Sequence, residues 1–67
     1  MNVPKLKRKI AEKNYNISTL SKTIGIDKST FYRKTRSNSP GFSIREVKMI
    51  SNALELTGDE INSIFFV

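Results

Sequence analysis

Apolar residues recur along this chain at three- and four-residue spacing, in runs separated by short polar turns. That period belongs to helices with one buried face. Val3, Leu6 and Ile10 predict a first helix from about Pro4 to Asn14, with Pro4 in the first turn, where a missing N–H costs little. Ile17, Leu20 and Ile24 mark a second helix. Phe31 is the one clear inward anchor of a third, Lys28 to Arg36. Ile44, Val47, Ile50, Ala53 and Leu54 form the inner face of a fourth, about Ile44 to Glu55, with Met49 as a gap filler. A fifth starts near Gly58 and carries Ile61, Ile64, Phe65 and Phe66. The prediction is all-α: five short helices around one core, a single domain over residues 1–67.

Turn chemistry sharpens these boundaries. Asn16, Asp27, Ser43 and Thr57 each stand where an N-cap belongs, with an apolar residue before and another at the fourth helical position. The pairs are Tyr15 with Leu20, Ile26 with Phe31, Phe42 with Val47, and Leu56 with Ile61, four hydrophobic staples. Ser43 with Glu46 and Thr57 with Glu60 complete two capping boxes. Asp27 is expected to accept from the free N–H groups of Ser29 or Thr30. Gly25 follows Ile24, where helices commonly end in a left-handed residue. Helix, Gly25-Ile26-Asp27, helix is thus a helix-turn-helix pattern over residues 16–36.

Charge changes the picture next. The net charge is +6 and it is uneven. Residues 1–36 carry ten Lys or Arg against Glu12 and Asp27, whereas residues 37–67 carry Arg45 and Lys48 against four carboxylates. A basic half joined to a mildly acidic half points to a polyanion held at one end of the molecule. The third helix fits that role. Lys28, Ser29, Thr30, Tyr32, Arg33 and Arg36 turn away from Phe31, and they are cations and donors suited to phosphates and base edges. The same residues would also suit a plain solvated face; the turn before them favours the groove. Ser37-Asn38-Ser39-Pro40-Gly41 is a short connecting loop whose donors would lie beside a phosphate.

Other function classes find little support. The chain has no Cys and no His, no paired carboxylates on an apolar face and no Gly-rich phosphate loop, so neither catalysis nor a cofactor is expected. No apolar run approaches the roughly 20 residues of a membrane span, and no signal-peptide pattern is present, so the expected location is the cytoplasm. The basic first helix has too narrow an apolar stripe to lie on a membrane. No small-molecule substrate is expected.

The segment LSKTIGIDKSTFYR (20–33), followed by IREVKMISNALEL and TGDE, resembles the lambda-repressor/Cro-like helix-turn-helix family over nearly the whole chain. Gly25 matches the family's turn glycine, Leu20 and Ile24 its second-helix core, Ile26 its turn hydrophobe and Phe31 its recognition-helix anchor. The resemblance implies a lambda-repressor-like five-helix bundle and a small regulator of bacteriophage or mobile-element type, working at the nucleoid of a bacterial host. It implies base contacts from Lys28, Ser29, Thr30, Tyr32 and Arg33 in the major groove. It implies backbone contacts from Asn16, Ile17, Lys22, Arg36, Ser37 and Asn38. Three positions depart from the family pattern: Ser21 stands for a small Ala, Ile17 for a polar residue, and Lys34 for a second apolar anchor, where its stem would pack and its head reach water.

The leading expectation is a sequence-specific regulator of double-stranded DNA, of Cro or repressor type. The alternative is an antirepressor-type module that uses the same scaffold to bind another protein; RNA is disfavoured, because Tyr32 is the only exposed aromatic platform. Phe66 lies roughly 100° round the helix from Phe65, so both rings cannot face one core. Phe66 and Val67 therefore either fold back on the bundle or form a weak contact with a second copy on DNA.

Overall fold

The computed structural model describes residues 1–36 and 41–66. Its elements are α1 (Val3–Glu12), α2 (Ile17–Ile24), α3 (Lys28–Lys34), α4 (Ile44–Leu54) and α5 (Gly58–Phe65), with no strand among the described residues. The buried core takes residues from every helix: Leu6 and Ile10, Leu20 and Ile24, Phe31, Ile50 and Leu54, and Ile64. Phe31 is fully enclosed. Its ring lies 5.0 Å from Phe42, which in turn meets Phe65 edge-on at 6.3 Å.

Three of the turns share one construction. At Asn14, Gly25 and Glu55 the backbone turns left-handed, with φ of 62°, 78° and 54°. In each case two hydrogen bonds close the helix end. The N–H of Gly25 donates to Lys22 O (3.2 Å) and that of Ile26 to Ser21 O (3.0 Å). Asn14 and Tyr15 repeat the pattern on Ala11 and Ile10, and Glu55 and Leu56 on Asn52 and Ser51. These are Schellman closures. The residue after each left-handed position, Tyr15, Ile26 or Leu56, packs on the core and also precedes the next N-cap. One apolar side chain therefore ends one helix and orients the next. At Gly25 an added Cβ would meet nothing within 4 Å, so the backbone angle, not crowding, calls for glycine.

The caps at Asn16, Ser43 and Thr57 form as full capping boxes, the one at Asn16 reciprocated by Thr19. Asp27 differs from expectation. It holds the N-cap backbone geometry, but its carboxylate makes no capping bond, so α3 is started by the Ile26–Phe31 clamp and the Asp27 O to Phe31 N–H bond (2.9 Å). Helix α1 begins one residue early because Asn2 caps it, accepting from the Lys5 N–H at 3.2 Å. Helix α3 ends two residues short of Arg36, with Thr35 as C-cap.

Ile44 is a second correction. At 76% exposure it does not join the α4 inner face; it is that helix's first residue and projects past the core. Ser51 is buried in its row instead, its hydroxyl satisfied by Val47 O at 2.6 Å. Ser21 does the same on α2, donating to Ile17 O at 2.6 Å. Small side chains that bond their own helix can sit between packed helices without leaving an orphaned polar atom.

Candidate nucleic-acid interface

The helix pair α2–α3 carries the site. Asn16 starts α2, its side chain accepting from Thr19 N–H at 2.8 Å, and the Gly25 closure turns the chain into α3. Phe31 pins α3 from beneath. Lys28, Ser29, Tyr32 and Arg33 are left exposed on its outer side, and Thr30 is half-buried. Arg36, just beyond the helix, is exposed, and its N–H donates to Arg33 O at 3.2 Å. Lys22 is exposed on α2, whereas Ile17 is half-buried against the core. Of the sequence-predicted contacts, Ser37, Asn38 and Val67 lie outside the described residues.

Ion pairing sorts the cations into two sets. Lys9 pairs with Glu60 and, at 3.4 Å, with Glu12; Lys13 reaches Glu55 at 3.8 Å; Lys34 meets Glu46 at 2.8 Å. The acidic C-terminal part thus folds back onto α1 and α3 and occupies three lysines of the basic part. Among the described residues, no carboxylate pairs with Lys7, Arg8, Lys22, Lys28, Arg33 or Arg36. The cations left without a carboxylate thus include Lys28 and Arg33 on α3 and Arg36 just beyond it, together with Lys7 and Arg8 on α1.

The α1–α5 seam is built from the chain ends. The Asn2 N–H donates to Ile64 O at 2.6 Å, and Lys5 Nζ donates to Ser63 Oγ at 2.6 Å. The Lys9 ammonium, with the Thr57 N–H, pulls the Glu60 carboxyl down to about 2 from an ordinary 4.5, and Glu60 raises Lys9 in return. A depressed carboxyl contributes stability that is complete above its unfolded value and vanishes as pH falls through the folded one. Urea midpoints at pH 6 and pH 2.5 are expected to differ more for the wild type than for Glu60→Gln, which keeps the capping geometry. Equal losses in both proteins would mean that the Lys9–Glu60 pair does not hold in solution.

One contributor escaped the sequence reading. A depression of about 280 Å³ is lined by Lys7, Ile10, Ala11, Tyr15, Asn16, Ile17 and Tyr32. It brings a cation of α1 and two tyrosines beside the start of α2. The available signal was the Lys7–Ala11–Tyr15 spacing, a stripe next to the apolar one that faces the α2 cap. No cluster of metal-ligating side chains occurs among the described residues, and no helix is long and apolar enough to cross a membrane.

Residues 5–66 match the family model of the Cro/C1-type HTH DNA-binding domain. The chain belongs to this family. Comparisons with curated proteins and with solved structures gave no match. The protein is thus a DNA-binding helix-turn-helix domain, with the matched region beginning within α1 and taking in α2 to α5. Within it the turn glycine, the Phe31 anchor and the unpaired cations of α3 occupy one continuous segment, Leu20 to Arg36.

Proposed function

We propose that this DNA-binding domain is a transcription regulator of Cro or repressor type that lays α3 in the major groove. Lys28, Ser29, Thr30, Tyr32 and Arg33 read base edges, while Asn16, Ile17, Lys22, Arg36, Ser37 and Asn38 hold the backbone on either side. One observation carries this reading: Lys28 and Arg33 on α3, and Arg36 just beyond it, pair with no carboxylate among the described residues, while Glu46 takes Lys34 alone at the end of the helix. A ridge about one helix wide fits a groove that admits an α-helix. Lys7 extends the backbone footprint onto α1, at the depression it shares with Asn16 and Tyr32.

Two copies act on a paired site, meeting through Phe66 and Val67. Phe66 is 65% exposed, and with Ile44, Val47 and Ile61 it lines an apolar groove of about 410 Å³ at the α4–α5 surface. Exposed apolar surface grouped in this way supports a contact with a partner. A self-complementary contact around a two-fold axis is the simplest way to cover it.

Salt titration of duplex binding tests both parts. Contacts to phosphate make log K fall linearly with log salt, with a slope near −0.9 per phosphate. The chain should show a steep slope on a duplex selected from a random pool. Deleting Phe66 and Val67 should weaken binding to a paired site more than to a single half-site. A flat slope would favour the antirepressor-type, protein-binding reading; equal losses on the two duplexes would remove the dimer.

A further inference from the structure

The Lys34 ammonium, at the last residue of α3, donates to both carboxylate oxygens of Glu46, at 2.8 and 3.0 Å. Glu46 is the third residue of α4, and its Oε1 also accepts the Ser43 N–H at 2.8 Å. Both side chains are largely withdrawn from water, at 26% and 14% exposure. The sequence suggested a lysine head reaching solvent; it is instead turned onto the Glu46 carboxylate. We infer that Lys34 and Glu46 form a positioning pair that sets the angle of the recognition helix, and that Lys34 takes no part in holding DNA.

The geometry supports this from both ends of α3. Its first turn is fixed by the Gly25 closure and the Ile26–Phe31 clamp. Its far end leaves the helix at Thr35 and is separated from α4 by the connection through residues 36–43. Contacts across that connection include the Phe31–Phe42 ring pair, at 5.0 Å, and the Lys34–Glu46 bond. The ring pair lies one turn back from the end. The ion pair acts beside Arg33 and Arg36, where a small swing of the helix would move a guanidinium by more than a hydrogen bond tolerates. Glu46 is suited to the task because the Ser43–Glu46 capping box already fixes its carboxylate.

The inference rests on the major-groove reading, and its test separates the two. Lys34→Met keeps an apolar stem of similar length; Glu46→Gln keeps the capping box and loses the charge. Each is compared with wild type on its selected duplex and on an unrelated duplex, over a range of salt, well below the melting temperature. The expected result is a fall of about fivefold or more in the specific-to-nonspecific ratio, as for a misaligned base contact, with the salt slope unchanged. Lys34→Arg, which can still reach Glu46, should recover most of the ratio. A slope reduced by about 0.9 with equal weakening on both duplexes would make Lys34 a phosphate contact and overturn the inference. A lowered melting temperature with an unchanged ratio would make the pair merely structural and overturn it too. A wild type with no preferred duplex would remove the major-groove reading itself, and this inference with it.

Discussion

Phe31→Ala is expected to leave the chain largely unfolded at 25 °C. The ring is fully buried and is the only core residue that α3 supplies. It also begins the aromatic chain Phe31–Phe42–Phe65, which ties α3 to the start of α4 and to α5. Truncating a buried Phe to Ala costs about 3–5 kcal/mol, to which a lost ring–ring contact adds about 0.5–1.5. A core in a chain below about 70 residues rarely supplies more than about 3–5 kcal/mol in total. The deletion therefore matches the whole stability of the fold. Circular dichroism during heating should show weak, uncooperative loss of helix, and specific duplex binding should disappear with it. Phe31→Leu, which refills most of the volume, should keep a cooperative transition. A melting temperature for Phe31→Ala within a few degrees of wild type would mean that α3 is anchored elsewhere.

What could be read from the sequence was local. Helix positions follow from 3.6-residue periodicity, and helix starts from caps three residues apart; both are written in neighbouring residues. Gly25 was legible for the same reason, since a left-handed position after an apolar stripe selects glycine. Asn14 and Glu55 take the same conformation; Asn tolerates it better than most residues, but Glu55 gives no such sign, and its closure is recognisable only from the backbone. Ile44 was misread because a spacing of three from Val47 suggests a shared face. At the first turn of a helix there is no preceding layer for that face to cover. Asp27 was misread because a suitable capping side chain does not guarantee that the cap forms.

The charges were legible in sum and not in placement. A block of lysines in residues 1–36 gave no sign of which would find carboxylates 12 to 51 positions away, as Lys34 finds Glu46 and Lys9 finds Glu60. Lys9 and Lys34 are held by carboxylates at partly buried sites and Lys13 only loosely at 3.8 Å, while Lys28, Arg33 and Arg36 have no carboxylate partner among the described residues. The resemblance to the Cro-like family, carried by Gly25, Ile26 and Phe31, rests on residues that set the backbone of α2 and α3, and the family match over residues 5–66 bears it out.

Arg33→Ala is expected to weaken binding to the preferred duplex by about 1–3 kcal/mol and to relax preference at a single base pair. Arg33 is exposed on α3 and, among the described residues, meets no carboxylate, so its guanidinium is not already committed within the protein. It sits two positions beyond Phe31, on a backbone held by that ring, and next to Lys34, whose bond to Glu46 fixes the end of the helix. A planar fork so placed can donate two parallel bonds to O6 and N7 of one guanine, a pattern no other base pair offers in the same geometry. Loss of both bonds falls on one base pair alone. Measuring the variant on the preferred duplex and on duplexes substituted one position at a time should therefore show one column of preferences flattened and the others intact. Equal weakening on every duplex, with the salt slope reduced by about 0.9, would instead assign Arg33 to a phosphate and move the reading of bases to Lys28, Ser29 and Tyr32.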